Sequence, residues 1–143
     1  MAEPPAEVRV ENFTSCVVHV VDDDEAVRDS MRALLESHGL EVRDYASARA
    51  FLIGTPLQLT GCVLLDLHMP GMSGLELLDT LRARGSKLPV IAFTGRSDSA
   101  LKARVVRAGA LMLLDKPVAD DMLLGSLARA LSLAECSQGL GAT

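Results

Sequence analysis

Five side chains sit where apolar runs of this chain stop: Asp22 and Asp23, Asp66, Thr94 and Lys116. Brought together, the three carboxylates would repel one another, at a cost of several kcal/mol in a partly dry site unless a cation is present. Mg2+ suits that need. It is a hard, oxygen-seeking ion, content with one or two carboxylates plus waters and a phosphate oxygen. A zinc site is disfavoured because no cluster of His and Cys ligands is present, and a calcium site because no EF-hand loop is. A lysine in an otherwise acidic pocket gives an incoming anion a positive partner, and a threonine hydroxyl gives it a hydrogen bond. The set therefore suits a phosphoryl group carried on a carboxylate.

The elements that would position these groups follow from periodicity. Val17 to Val21 is an apolar run ending at Asp22, and Cys62 to Leu65 is another ending at Asp66. Pro89 to Phe93 ends at Thr94, Leu111 to Leu114 runs into Asp115-Lys116-Pro117, and Val42 and Tyr45 mark a short further strand. Short apolar runs of this kind read as buried strands. Between them lie helical patterns: Val27, Met31, Leu34 and Leu35 with Gly39 as a stop, then a short helix from about Ser47 to Ile53. Ser73-Gly74-Leu75-Glu76 predicts a capping box opening a helix that turns Leu77, Leu78 and Leu81 inward. Two more helices are expected over about Asp98 to Ala108 and Ala119 to Leu133. Five strand-helix units imply an α/β fold, a parallel sheet covered by helices on both faces. Right-handed crossovers restrict it to a few doubly wound topologies. Ligands of such sheets bind at the carboxyl ends of the strands, where all five side chains fall. Residues 1–15, polar with two prolines, read as a flexible tail; residues 16–133 form the domain, and 134–143 a C-terminal tail.

The bulk numbers narrow the function. The chain has 143 residues, 49% hydrophobic and 23% charged, a globular composition for one domain. Aromatics are 3% and Trp is absent, so the core must be aliphatic. A net charge of -5 with dispersed cations (Arg82, Arg84, Lys87, Arg96, Lys102, Arg104, Arg107) argues against direct nucleic-acid binding. Cys16, Cys62 and Cys136 are odd in number and lack C-x-x-C spacing, so buried or idle thiols in a reducing compartment are expected rather than a disulfide frame or a zinc site. The N-terminus has no signal-peptide pattern and no stretch reaches membrane-spanning length, which points to a cytoplasmic protein without a membrane partner.

Val20-Val21-Asp22-Asp23, Leu65-Asp66-Leu67-His68-Met69-Pro70-Gly71-Met72-Ser73-Gly74, Thr94-Gly95 and Lys116-Pro117 occur in one order and at one spacing. Together they closely resemble the receiver domains of two-component response regulators, of the CheY-like superfamily, over about residues 16–133. Thr94-Gly95 and Ser47-Ala48-x-x-Phe51-Leu52 are similar in wording to receivers of the FixJ/NarL type, whose members often carry a helix-turn-helix output. The resemblance implies a flavodoxin-like strand order, 2-1-3-4-5. It implies Asp66 as phosphoacceptor from a histidine kinase. It implies Mg2+ held by Asp23 and Asp66, by Asp22 mainly through water, and by the backbone carbonyl of His68. Lys116 and Thr94 would bind the phosphoryl oxygens, Gly95 would leave room for them, and the Lys116-Pro117 bond would be cis. His68 and Arg96 fall where family members tune dephosphorylation. Relatives commonly signal, often as homodimers, through the fourth helix, fifth strand and fifth helix, here exposed members of Leu101 to Arg107 with Met112, Met122 and Arg129. Such a chain catalyses its own phosphorylation and dephosphorylation and is an enzyme only in that limited sense.

Two departures stand out. Relatives place Tyr or Phe three residues before the lysine, as a ring that swings inward when the threonine moves; here that switch position is Leu113. Compensation by Phe93 and a switch without an aromatic both stay open. Residues 134–143 are too few for a DNA-binding domain, which leaves a stand-alone receiver or a fragment of a longer regulator. The bland reading suits Asp24 and Glu25, as a helix N-terminus favouring negative charge. His19 and His38 read as structural and the Met residues as packing. A receiver-like interaction module without phosphorylation is the alternative function. A haloacid-dehalogenase-type hydrolase would need an Asp at position 68, and a flavodoxin would need a hydroxyl- and Gly-rich loop where Asp22 and Asp23 stand.

Overall fold

The computed structural model describes residues 9–13, 16–54 and 61–134. Five strands alternate with five helices: β1 (Val17–Val21), α1 (Glu25–Ser37), β2 (Glu41–Tyr45), α2 (Ala48–Gly54), β3 (Cys62–Asp66), α3 (Gly74–Ala83), β4 (Val90–Thr94), α4 (Ser99–Arg107), β5 (Met112–Asp115) and α5 (Asp120–Leu133). All the pairings are parallel and the order is β2-β1-β3-β4-β5. This is the doubly wound arrangement that the resemblance implied.

Every residue of β3 and β4 is buried, because each strand faces helices on both sides. The two faces separate along each strand with the period of two. Val18, Val20, Cys62, Leu64, Ile91 and Phe93 pack with Leu35 of α1 and with Leu123, Leu127 and Leu131 of α5. Val21, Val63, Leu65, Val90 and Ala92 pack with Phe51 of α2, Leu77, Leu78 and Leu81 of α3, and Val105 of α4.

The helix starts are chemically explicit. Asp24 caps α1, accepting from the N–H groups of Ala26 and Val27, so the bland reading of Asp24 holds. The capping box of α3 forms: Glu76 N donates to Ser73 Oγ at 3.1 Å and Ser73 N to Glu76 Oε1 at 2.9 Å. Asp98 caps α4 through Leu101 N. Gly39, with φ 84°, takes the left-handed turn that ends α1.

Two expectations need correction. Residues 1–15 are not a loose tail throughout, because Val10–Phe13 forms a 3-10 turn whose Val10 and Phe13 are buried in the α1/α5 core. Burying two apolar side chains offsets the entropy of ordering so short a turn. Cys62 is a free, buried thiol, pushed up to about 12 by burial and so inert, but Cys16 is disulfide-bonded rather than idle. Residues 1–8, 135–143 and Cys136 lie outside the described residues. Among the described residues, no helix is long and apolar enough to cross a membrane.

Candidate functional site

Register brings the polar strand ends side by side. Asp66 pairs with Phe93 across β3 and β4, and Thr94 with Asp115 across β4 and β5. Val21, the last residue of β1, pairs with Leu65. Asp22 and Asp66 are buried and Thr94 is wholly buried, while Asp23 is exposed. Carboxylate oxygens of Asp22, Asp23 and Asp66 lie within 4.8 Å of one another. Lys116 spans two of them, with Nζ 2.9 Å from Asp22 Oδ2 and 3.6 Å from Asp66 Oδ2. The Lys116-Pro117 bond is cis.

The electrostatics match this crowding. Burial, with the charges of Asp22 and Asp23, pushes the Asp66 carboxyl above its ordinary value, against the pull of the His68 N–H and of Lys116. Burial pulls the Lys116 ammonium down, but its hydrogen bond to Asp22 and the charges of Asp22 and Asp66 outweigh this and leave it raised. A partly buried, crowded acidic group of hard oxygen donors facing one lysine fits a divalent cation of the Mg2+ kind.

The remaining predicted positions fall around this centre. His68 N donates to Asp66 Oδ1 at 3.2 Å, and the ring of His68, although exposed, lies with Nε2 2.8 Å from Thr94 Oγ1. Thr94 Oγ1 also donates to Arg96 O at 3.1 Å and accepts from Arg96 N at 3.3 Å; the Arg96 residue is exposed. A Cβ at Gly95 would meet nothing within 4 Å, so there is open space beside Thr94. Leu113 is half-buried against the α2/α3/α4 core, whereas Phe93 is buried in the opposite core, against α1 and α5. Phe93 therefore cannot stand in for a ring at position 113, because strand alternation sends the two side chains to opposite faces.

Several residues support the site in ways the sequence did not indicate. Arg28 on α1 donates from Nη1 to the Asp22 carbonyl at 2.8 Å and from Nε to Asp44 Oδ2 at 3.1 Å, which ties the Asp22 backbone to β2. Ser97 holds the β4–α4 loop to the end of β5 by two bonds, N to Asp115 Oδ1 and Oγ to Asp115 Oδ2, both 3.0 Å. Gly74 lets the start of α3 lie on the acceptor strand: a Cβ there would overlap the Asp66 carbonyl oxygen and the Leu67 Cα. Beside Lys116 a cavity of about 550 Å³ opens between α1 and α5, lined by Val27, Met31, Leu34, Pro117, Val118 and Leu123 among others.

Away from this centre, His19 is fully buried among Tyr45 and Phe51. Its Nδ1 contacts Tyr45 Oη at 3.2 Å, and its Nε2 is the one buried side-chain polar atom without a partner among the described residues. Burial, aided by Arg43 and opposed by Glu41, lowers its pKa to about 4.

Known proteins resemble this chain in sequence and fold. The family model described as "Response regulator receiver domain" matches residues 18–128. The chain is 47% identical over 114 residues to the transcriptional regulatory protein FixJ of Azorhizobium caulinodans, covering 79% of this chain and 54% of that protein. Full-length FixJ from B. japonicum superposes with a TM-score of 0.77 at 39% identity, over 84% of this chain and 59% of that one. The chemotaxis protein CheY4 of Vibrio cholerae superposes with a TM-score of 0.75 at 28% identity, over 81% and 98%. The chain thus spans about half the length of the curated regulators it matches.

Proposed function

Because the chain belongs to the response regulator receiver domains of two-component systems, we propose that Asp66 accepts a phosphoryl group from a histidine kinase in a Mg2+-dependent reaction and that the modified chain switches conformation to control a downstream output. The observation that carries this reading is the buried Asp66, crowded by Asp22 and Asp23 and faced by Lys116. An Asp66 carboxylate oxygen attacks phosphorus, the phosphorus–nitrogen bond of the donor phosphohistidine breaks, and its electron pair returns to the donor imidazole. Lys116, released from Asp22, pairs with the phosphoryl oxygens, and Thr94 donates to one of them. Gly95 leaves the space they occupy. Asp23, Asp66, the His68 carbonyl and, through water, Asp22 would hold the ion, whose charge offsets that of the carboxylates and of the incoming oxygens. The apolar cleft beside Lys116 offers a seat for a protein donor next to the acceptor.

In this reading His68 and Arg96 overhang the path of the water that hydrolyses the phosphoryl group and set its lifetime. The output surface is α4–β5–α5, where Lys102, Arg104, Arg107, Met122 and Arg129 are exposed, and a homodimer forms through it. The place of action is the cytoplasm. Leu113, which offers no ring, favours one alternative, an interaction module that acts without phosphorylation. The two readings part on the metal. Calorimetry should show one weak Mg2+ site in the parent chain and none in Asp23→Ala, with phosphorylation by acetyl phosphate lost in the same variant. An Asp23→Ala chain phosphorylated at the parent rate would overturn the assignment of the pocket.

A further inference from the structure

His68 contacts both the Asp66 carboxylate and the Thr94 hydroxyl. Its main-chain N–H is on Asp66 Oδ1, and its ring is on Thr94 Oγ1. Thr94 is wholly buried, and its hydroxyl has one proton and two lone pairs for three neighbours. Arg96 N can only donate to it. If Thr94 gave its proton to the imidazole, the Arg96 carbonyl, 3.1 Å from Oγ1, would face lone pairs alone. The partition that satisfies all three contacts has Thr94 donating to Arg96 O and the ring donating from Nε2–H into Thr94 Oγ1.

We infer that His68 is a positioning residue acting through Thr94: its Nε2–H holds the Thr94 oxygen so that the Thr94 proton can pass from the Arg96 carbonyl to a phosphoryl oxygen on Asp66. The inference rests on the phosphoacceptor reading above. When the phosphoryl group arrives, Thr94 rotates its single proton from one acceptor to the other. The ring keeps its bond, and a hydroxyl that accepts from a donor is itself a better donor. His68 thereby prolongs the life of the phosphoryl group by strengthening a grip on it, an effect distinct from shielding it from water.

Decay of the phosphorylated chain after loading with acetyl phosphate and Mg2+, followed by intact mass, separates these effects through a double-mutant cycle. Decay should quicken about five-fold in His68→Ala, the kinetic worth of one such hydrogen bond. His68→Gln, whose amide nitrogen stands as many bonds from Cα as Nε2, should stay within about two-fold of the parent. In a Thr94→Ala background, adding His68→Ala should change decay by less than about two-fold. An equal factor in both backgrounds would overturn the inference and leave His68 acting on the water path. A parent chain that takes up no phosphoryl group would instead overturn the phosphoacceptor reading. Independently of any phosphoryl donor, NMR of the ring nitrogens of the unmodified chain, at a pH where the ring is neutral, should find the proton of His68 on Nε2. A proton on Nδ1 would overturn the hydrogen-bond partition.

Discussion

Replacing Asp66 by Asn should stabilise the metal-free chain. At 4.8 Å, the outer limit of the spacing within the acidic group, and at an effective dielectric near 20, each carboxylate pair repels by roughly 3 kcal/mol. Lys116 at 3.6 Å from Asp66 returns roughly 5 kcal/mol of attraction in the same medium. Asp23 is exposed, so water and salt screen its share. The Coulomb effects around Asp66 therefore nearly cancel, and burial of its carboxylate, 6% exposed, decides the sign. The amide keeps the shape and can still accept from His68 N, so the expected gain is about 1 kcal/mol, or about 3 °C in Tm. The pH dependence follows from the raised Asp66 pKa. Below the ordinary carboxylate value of 3.8, folded and unfolded chains are both protonated and Asp66 costs nothing. Its cost grows as pH rises through that value toward the raised folded one and is complete at neutrality. Thermal melts in EDTA should thus show the advantage of Asp66→Asn at neutral pH and its shrinkage toward acid. Added Mg2+ should raise the parent Tm by mass action while leaving the variant nearly unmoved. A variant no more stable than the parent in EDTA at neutral pH would refute the reasoning.

His19 titrates at about 4 in the folded chain and at 6.5 when unperturbed, so the unfolded chain binds a proton that the folded chain refuses. Urea unfolding should show the parent losing about 2 kcal/mol between about pH 7.5 and pH 5 from this residue, and His19→Phe should remove that slope. Gly74→Ala forces a Cβ into the Asp66 backbone; a loss of about 3 kcal/mol in urea unfolding is expected, with slower phosphorylation of whatever folds. Ser97→Ala deletes one of the two bonds to Asp115. Amides in the first turn of α4 should then exchange with deuterium about five-fold faster, while those of β4 stay unchanged.

The strand ends were legible because buried parallel strands are short apolar runs, and the residue that stops each run marks the face where chemistry collects. The capping box of Ser73 and Glu76 and the stop at Gly39 were legible for the same local reason. Val10–Phe13 was not, since a four-residue turn with two polar members has no periodicity to read. Nor was the face of Phe93, because β4 is buried on both sides and its sequence does not alternate. The contacts of Arg28 with Asp44, Ser97 with Asp115 and His68 with Thr94 join residues 16, 18 and 26 positions apart, and each depends on a side-chain rotamer that only tertiary packing sets. His68, Arg96 and Thr94 could each be marked beforehand, but that the Thr94 hydroxyl binds the other two could not.

Everything proposed for this chain depends on Asp66 being the residue that carries the phosphoryl group. Intact mass of the chain incubated with acetyl phosphate and Mg2+, followed by reduction of the acyl phosphate with borohydride and peptide mapping, tests it directly. A gain of one phosphoryl group is expected, dependent on Mg2+, mapped to Asp66 and absent from Asp66→Asn. No gain in the parent, or a gain that persists in Asp66→Asn, would contradict it.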